Sequence, residues 1–331
     1  MSAVRNAALM LLLAAALPCA AAETSLASRV GTADGWVGYR VPMVAGVGEA
    51  CCFDDRAKSL QPGRCDLDGR TWSFGSRDGA RPSGDTAQLA VYLHVANSRV
   101  DRVRAVAASC EVHSATPVSW IDPVLPAQSV KLLADWMDEK PPGREREDSA
   151  LVALAYHADA STTKALLARA ATTRPKDERE QAVFWLGEAR GPEGAELVEH
   201  FATTDGDPEL RAHAVFVLSQ TQVGDGYARI RQISSTDPSE HVRSQALFWM
   251  AQTQDARAAA DITSALRTEH SSEVREQAVF AMSQLKDDNA DDALIALLRG
   301  DYPREVKKQA LFWLSQSGSP RALQFLDETL K

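Results

Sequence analysis

Two rhythms of apolar and polar residues divide the chain. Between residues 23 and about 126 the rhythm has period two. In QLAVYLHVA, Leu89, Val91, Leu93 and Val95 fall on one face of an extended strand, and Tyr92 and His94 on the other. DRVRAVAASCEVH and GWVGYRVPMV read the same way, with Gly, Pro, Asp and Asn at their borders. AQSVKLLADWMDE then changes to helical spacing, with Leu132, Leu133 and Trp136 on one side, and KPPGRERED follows as a polar, proline-containing linker. Beyond it a much longer period takes over. QAVFWLGEA from Gln181 returns as HAVFVLSQT from His213, QALFWMAQT from Gln245, QAVFAMSQL from Gln277 and QALFWLSQS from Gln309, and the five starts are evenly spaced.

Self-similarity at a fixed period marks a repeat architecture. A basic ladder runs Arg179, Arg211, Arg243, Arg275, Lys307. Three residues after each rung stands an alanine (Ala182 to Ala310), and seven after it a Leu or Met (Leu186, Leu218, Met250, Met282, Leu314). At about 100° per residue these positions share one helical face, which predicts a first helix in every unit. A second apolar row, Leu166, Val198, Ile230, Ile262, Leu294 and Leu326, keeps the same period and predicts a second helix. RGPEG, VGDG and SGSP separate the two helices, and DGDPE, TDPSE and GDYPRE separate the units. SALVALAYH from Ser149 is one period upstream. Ala150 and Leu154 keep the phase, but Glu147 replaces the basic residue, as expected of a degenerate capping unit. About six helical pairs result.

These units resemble the HEAT repeat family, particularly its short bacterial form, over about residues 146 to 331. Members place an Asp six residues before an Arg, with Val just ahead of that Arg. Here the pairs are Asp205/Arg211, Asp237/Arg243, Glu269/Arg275 and Asp301/Lys307. The resemblance implies stacked helical hairpins in a curved right-handed solenoid, with these polar residues bonding between neighbouring turns. It does not imply one function, because such solenoids serve many partners. The expected fold is α+β in two domains: a signal peptide over 1–22, a small β-rich domain with a C-terminal helix over 23–138, a linker over 139–147 and the solenoid over 148–331.

The leader is read from Arg5, the apolar run AALMLLLAAAL and the small residues before Glu23, which together fit an export signal cut after Ala22. Cleavage would remove Arg5 and make the formal net charge of −9 one unit more negative. That balance excludes the basic footprint of a nucleic-acid binder. No later stretch is long and apolar enough to span a membrane. Export leaves Cys51, Cys52, Cys65 and Cys110, an even count that reads as two structural disulfides. Cys51 and Cys52 are adjacent and should pair elsewhere. Two pairings stay open: 51–65 with 52–110, or 51–110 with 52–65. No CxxC spacing supports a zinc site or a redox-active thiol pair.

Catalytic signals are scarce. GxSxG, Walker and HExxH patterns are absent from the sequence. HEAT-like di-iron hydroxylases carry repeated His-Glu pairs at equivalent positions. Here the order is reversed, at Glu199-His200, Glu240-His241 and Glu269-His270, and the histidines share no phase of the repeat. HEAT-like bilin lyases are a second precedent, without a residue-level signature in this chain. His94 and His113, near Ser114, read as strand residues. No cofactor is expected. The favoured function is a non-enzymatic periplasmic or secreted scaffold that binds protein partners of unspecified identity. Alternatives are an enzyme or enzyme accessory, or an envelope- or glycan-binding N-terminal domain on a helical stalk.

One phase of the repeat is unexplained by packing inside a unit. Measured round the helix from the ladder Arg, the buried direction lies at about 300°, and the residue five later at about 140°. Phe184, Phe216, Phe248, Phe280 and Phe312 occupy that second phase, flanked by Gln245, Gln277 and Gln309 and by Gln252 and Gln284. Two readings follow: lateral packing of each Phe on the next hairpin, or an exposed aromatic-amide stripe that binds an extended partner. The residues six after the rung, Trp185, Val217, Trp249, Ala281 and Trp313, fall on the core margin and are assigned to packing between units.

Overall fold

The computed structural model describes residues 25–44, 50–52, 65–69, 74–76, 88–139, 144–221, 224–286 and 288–330. The expected leader lies outside them. The β-rich region begins with α1 (Leu26–Gly31) and β1 (Gly35–Pro42), continues through β2 (Ala50–Cys52), β3 (Cys65–Asp66), β4 (Phe74–Ser76), β5 (Gln88–Ala96), β6 (Arg99–Ala107), β7 (Val112–His113) and β8 (Ser119–Trp120), and closes with α2 (Pro126–Asp138). Its main sheet has the order β6-β5-β1-β8. The antiparallel register sets Gly35 against Val95 and Pro42 against Gln88, while β8 joins β1 in parallel. β2 pairs with β4 and β3 with β7 in two small ribbons.

The period-two rhythm sorts the sheet as expected. Leu89, Val91, Leu93 and Val95 face a core shared with Leu133 and Trp136 of α2. Ala90 and Tyr92 face a second, smaller cluster with Trp36, Cys65, Leu67 and Val106. Both faces are therefore covered. A disulfide joins Cys51 to Cys110 across a Cα separation of 5.6 Å, and Cys65 is also disulfide-bonded. The 51–110 bond belongs to the pairing that leaves Cys52 for Cys65; the Cys52 side chain lies outside the described residues.

Twelve helices make six consecutive pairs in the described residues. The first helices are α3 (Arg144–Ala155), α5 (Lys176–Ala189), α7 (Pro208–Gln220), α9 (Glu240–Gln252), α11 (Ser272–Ser283) and α13 (Arg304–Ser317). The second helices are α4 (Ala160–Arg169), α6 (Gly191–Thr204), α8 (Gly226–Thr236), α10 (Ala258–Thr268), α12 (Asp288–Arg299) and α14 (Pro320–Leu330). α3 begins at Arg144, inside the stretch expected as linker, because RERED is rich in helix formers despite its polarity. Ala150 and Leu154 are fully buried, as their phase required. One hydrophobic cluster runs without a break from Val37 and Leu93 of the sheet, through Leu133, into Leu154, Leu186, Leu218, Met250, Met282 and Leu314. The β-rich region thus covers the face of the first hairpin that would otherwise lack a neighbour, the capping that a repeat array requires.

A buried polar chain marks that junction. Tyr39 of β1, Ser129 of α2 and His157 just after α3 are all buried. Tyr39 Oη lies 2.7 Å from Ser129 Oγ, which lies 2.7 Å from His157 Nε2, and His157 Nδ1 lies 2.6 Å from the Ala153 carbonyl. With a neutral imidazole every group is satisfied: Nδ1–H donates to Ala153, Ser129 donates to Nε2, and Tyr39 donates to Ser129. Burial lowers the His157 pKa to about 4. The unfolded chain would take its proton near pH 6.5. Between these values the unfolded state binds more protons, so stability rises with pH. The contribution is complete above about pH 6.5 and falls by about 3 kcal/mol on descending to about pH 4. Urea midpoints measured across this range should slope steeply for the native chain and shallowly for His157→Gln, which cannot titrate. Equal slopes would show that His157 does not carry the effect.

Candidate protein-interaction face

The ladder residues fix how successive units sit on one another. Arg211 and Arg243 each span two inter-unit turns. Arg211 donates to the Asp205 carbonyl at 2.9 Å in its own turn, and through Nε and Nη2 to both carboxylate oxygens of Asp237 in the next turn, at 2.8 and 2.9 Å. Arg243 repeats this with the Asp237 carbonyl at 2.9 Å and Glu269 at 2.8 and 3.2 Å. Arg179 reaches Asp205 at 2.5 Å. Arg275 donates to the Glu269 carbonyl at 3.1 Å. Bonding between neighbouring turns was expected. The carboxylate partner, however, belongs to the acid in the following turn, while the acid just ahead of the Arg contributes its carbonyl. The carboxylates also accept from backbone N–H groups at the helix starts, Asp205 from Asp207 and Asp237 from Ser239. One side chain thereby organises its own turn and clamps the preceding unit. The Asp237 carboxylate favours the charged form of Arg211 and pushes its pKa above the ordinary arginine value.

The Phe phases of α5, α7, α9, α11 and α13 face the same side. Phe184, Phe216, Phe248 and Phe280 are half-buried there, and Phe312 is 50% exposed. Both sequence readings describe part of the arrangement, because the rings pack laterally yet keep surface in contact with solvent. Phe184 stacks on Phe216 with centroids 6.4 Å apart and planes 10° apart; Phe248 stacks on Phe280 at 6.0 Å and 6°. Between these stacks the tryptophans intervene. Trp249 lies 4.8 Å from Phe216 and 5.0 Å from Phe248, and Trp313 lies 5.0 Å from both Phe280 and Phe312. Trp185 closes the other end, 5.1 Å from Phe184 and 5.6 Å from Tyr156. The result is an unbroken aromatic ladder across the first helices.

The ladder has a two-unit rhythm superimposed on the single-unit repeat. Trp185, Trp249 and Trp313 alternate with Val217 and Ala281 at one position. Where the residue is small, the Phe of that unit stacks flat on the Phe before it. Trp249 and Trp313 each fill the gap between two Phe rings. The phase of the tryptophans predicts packing between units; in the structure they also belong to the aromatic row. The alternation of Trp with small residues was the available signal.

The glutamines border the ladder. Gln252, Gln277 and Gln284 are exposed, and Gln245 and Gln309 are half-buried. Gln284 Nε2 donates to Ser283 Oγ at 3.0 Å, and Ser283 donates to the Phe280 carbonyl at 2.7 Å. His213 stands where other units carry Gln, 5.7 Å from the Phe216 ring, with Nε2 buried and without a partner; burial lowers its pKa. His200, His241 and His270 are scattered and exposed, and no cluster of His, Cys, Asp or Glu suited to a metal occurs among the described residues. No described helix is long and apolar enough to cross a membrane.

Residues 227–315 match the family model for HEAT repeats. No curated protein matches the chain. Among solved structures, human deoxyhypusine hydroxylase in complex with glycerol is similar at 16% identity, over 57% of this chain and 73% of that one, with a TM-score of 0.31. The complex of CpcE and CpcF of phycocyanin lyase from Nostoc is similar at 15% identity, over 47% of this chain and 98% of that one, with a TM-score of 0.35. Kap121p bound to Pho4p is similar at 14% identity, over 62% of this chain, with a TM-score of 0.38; this chain spans 27% of Kap121p.

Proposed function

We propose that this HEAT-repeat protein is a non-enzymatic scaffold, exported to the periplasm or cell exterior, that binds protein partners through the aromatic face of its first helices. The observation that carries the reading is the continuous ladder of half-buried Phe and Trp rings bordered by exposed glutamine amides. An interface needs aromatic anchors already held in place, and rings fixed by their neighbours lose little freedom on binding. Exposed amides next to them supply donors and acceptors for a partner's main chain. Export accords with the disulfide of the β-rich region.

The test is a position-selective crosslink on the full mature chain. A photoreactive residue placed at Gln252 or Gln284 should capture a discrete partner from an envelope extract. The same residue at Glu196 or Glu328, exposed on second helices, should not. Equal capture from both sets, or none from Gln252 and Gln284, would overturn the assignment of the face.

A further inference from the structure

The two sides of the solenoid differ in how their charges are balanced. On the second helices, opposite charges pair between elements: Arg229 with Glu199 at 3.1 Å, Arg231 with Asp261 at 3.0 Å, and Arg321 with Asp292. On the first helices the phases next to the Phe row carry Asp177, Glu180, Glu209, Glu273, Glu276 and Glu305, against His241 and Lys308. These lie two residues before or one residue after the ladder position, within about 40° of the Phe row. Lys176 lies 3.7 Å from Glu180 and 3.6 Å from Glu209, and His241 lies 3.6 Å from Glu209. Asp177, Glu273, Glu276 and Glu305 have no cationic partner within salt-bridge distance among the described residues. The helix dipole accounts for an acid in a first turn. It does not account for Glu276, or for two phases in which acids outnumber cations six to one.

We propose, building on the assignment of this face to protein binding, that its occupant is an extended polypeptide segment rich in lysine or arginine. Charge complementarity selects the sign. The aromatic row selects long cationic side chains, whose methylene stems lie along apolar rings and whose heads are attracted to ring faces. The glutamine amides then meet the peptide main chain, which in an extended segment is free to bond sideways. A compact acidic partner would be repelled by the same carboxylates.

The experiment uses the full mature chain and a fluorescein-labelled decapeptide of alternating lysine and proline, read by fluorescence anisotropy, with a glutamate–proline decapeptide as control. The lysine peptide should bind and weaken as salt rises. Glu273→Gln/Glu276→Gln/Glu305→Gln, all at exposed positions, should weaken it by about tenfold. Asp34→Asn/Glu196→Gln/Glu328→Gln, exposed elsewhere, should change it by less than about twofold. Equal losses in the two variants would reduce the effect to net charge and overturn the proposal. So would absence of lysine-peptide binding, or tighter binding of the glutamate peptide. If crosslinks from Gln252 and Gln284 persist in that case, the face binds protein of another chemistry and only the cationic assignment falls. If they fail as well, the binding face itself is wrong.

Discussion

Replacing Phe216, Phe248 and Phe280 together with serine is expected to destabilise the solenoid by about 5–7 kcal/mol. Truncating a fully buried Phe costs about 3–5 kcal/mol, and these rings are half-buried, so each loses about half of that. That mutational cost already includes the lost ring–ring contacts. The sum is comparable with the whole stability of an ordinary domain, about 5–15 kcal/mol. Thermal melts followed by circular dichroism should therefore show a large fall, with the middle units lost first because each contacts only its neighbours. Phe312→Ser is the control. Its ring is half exposed and touches Trp313 alone among the described aromatic contacts, so its cost should stay within about 1 kcal/mol. A triple variant that melts like the native chain would show that the ladder holds nothing together.

Asp237→Ala should cost about 3–5 kcal/mol, because it strands a guanidinium in a place from which water is excluded. Arg211 and Asp237 are each 8% exposed and share two hydrogen bonds at 2.8 and 2.9 Å. Removing both charges should be far milder. In Arg211→Met/Asp237→Leu the methionine fills the arginine's volume, and the remaining losses are the carboxylate's bond to the Ser239 N–H and the arginine's bond to the Asp205 carbonyl, about 1 kcal/mol each. Urea denaturation of the two single variants and the double variant completes the cycle. Additive losses would mean that the two residues act independently and that the clamp is not a unit. Glu269 is less enclosed than Asp237, with its side chain 12% exposed against 5%, so Glu269→Ala should cost less.

The repeat was legible because its cause is local. Ala182 and Leu186, with their copies in every later unit, face inward by helical periodicity alone, and all are fully buried. The strand at Leu89–Val95 was legible for the same reason, as alternation sorts side chains between two faces before any partner is known. The family resemblance placed Arg211 and Asp237 in bonds between turns. It could not say which acid meets which arginine, because that depends on the offset between stacked hairpins. The Phe phase was legible as a direction, almost opposite the buried stripe, but not as an environment. Whether a ring on that side meets water or the next unit depends on the tilt between hairpins and on whether its neighbour carries Trp249 or Ala281. The chain Tyr39–Ser129–His157 gave no sequence signal at all. Its members lie far apart in the chain, each ordinary in its own segment. Only the docking of the sheet and α2 against the first hairpin brings them together, and burial in that junction keeps the imidazole neutral.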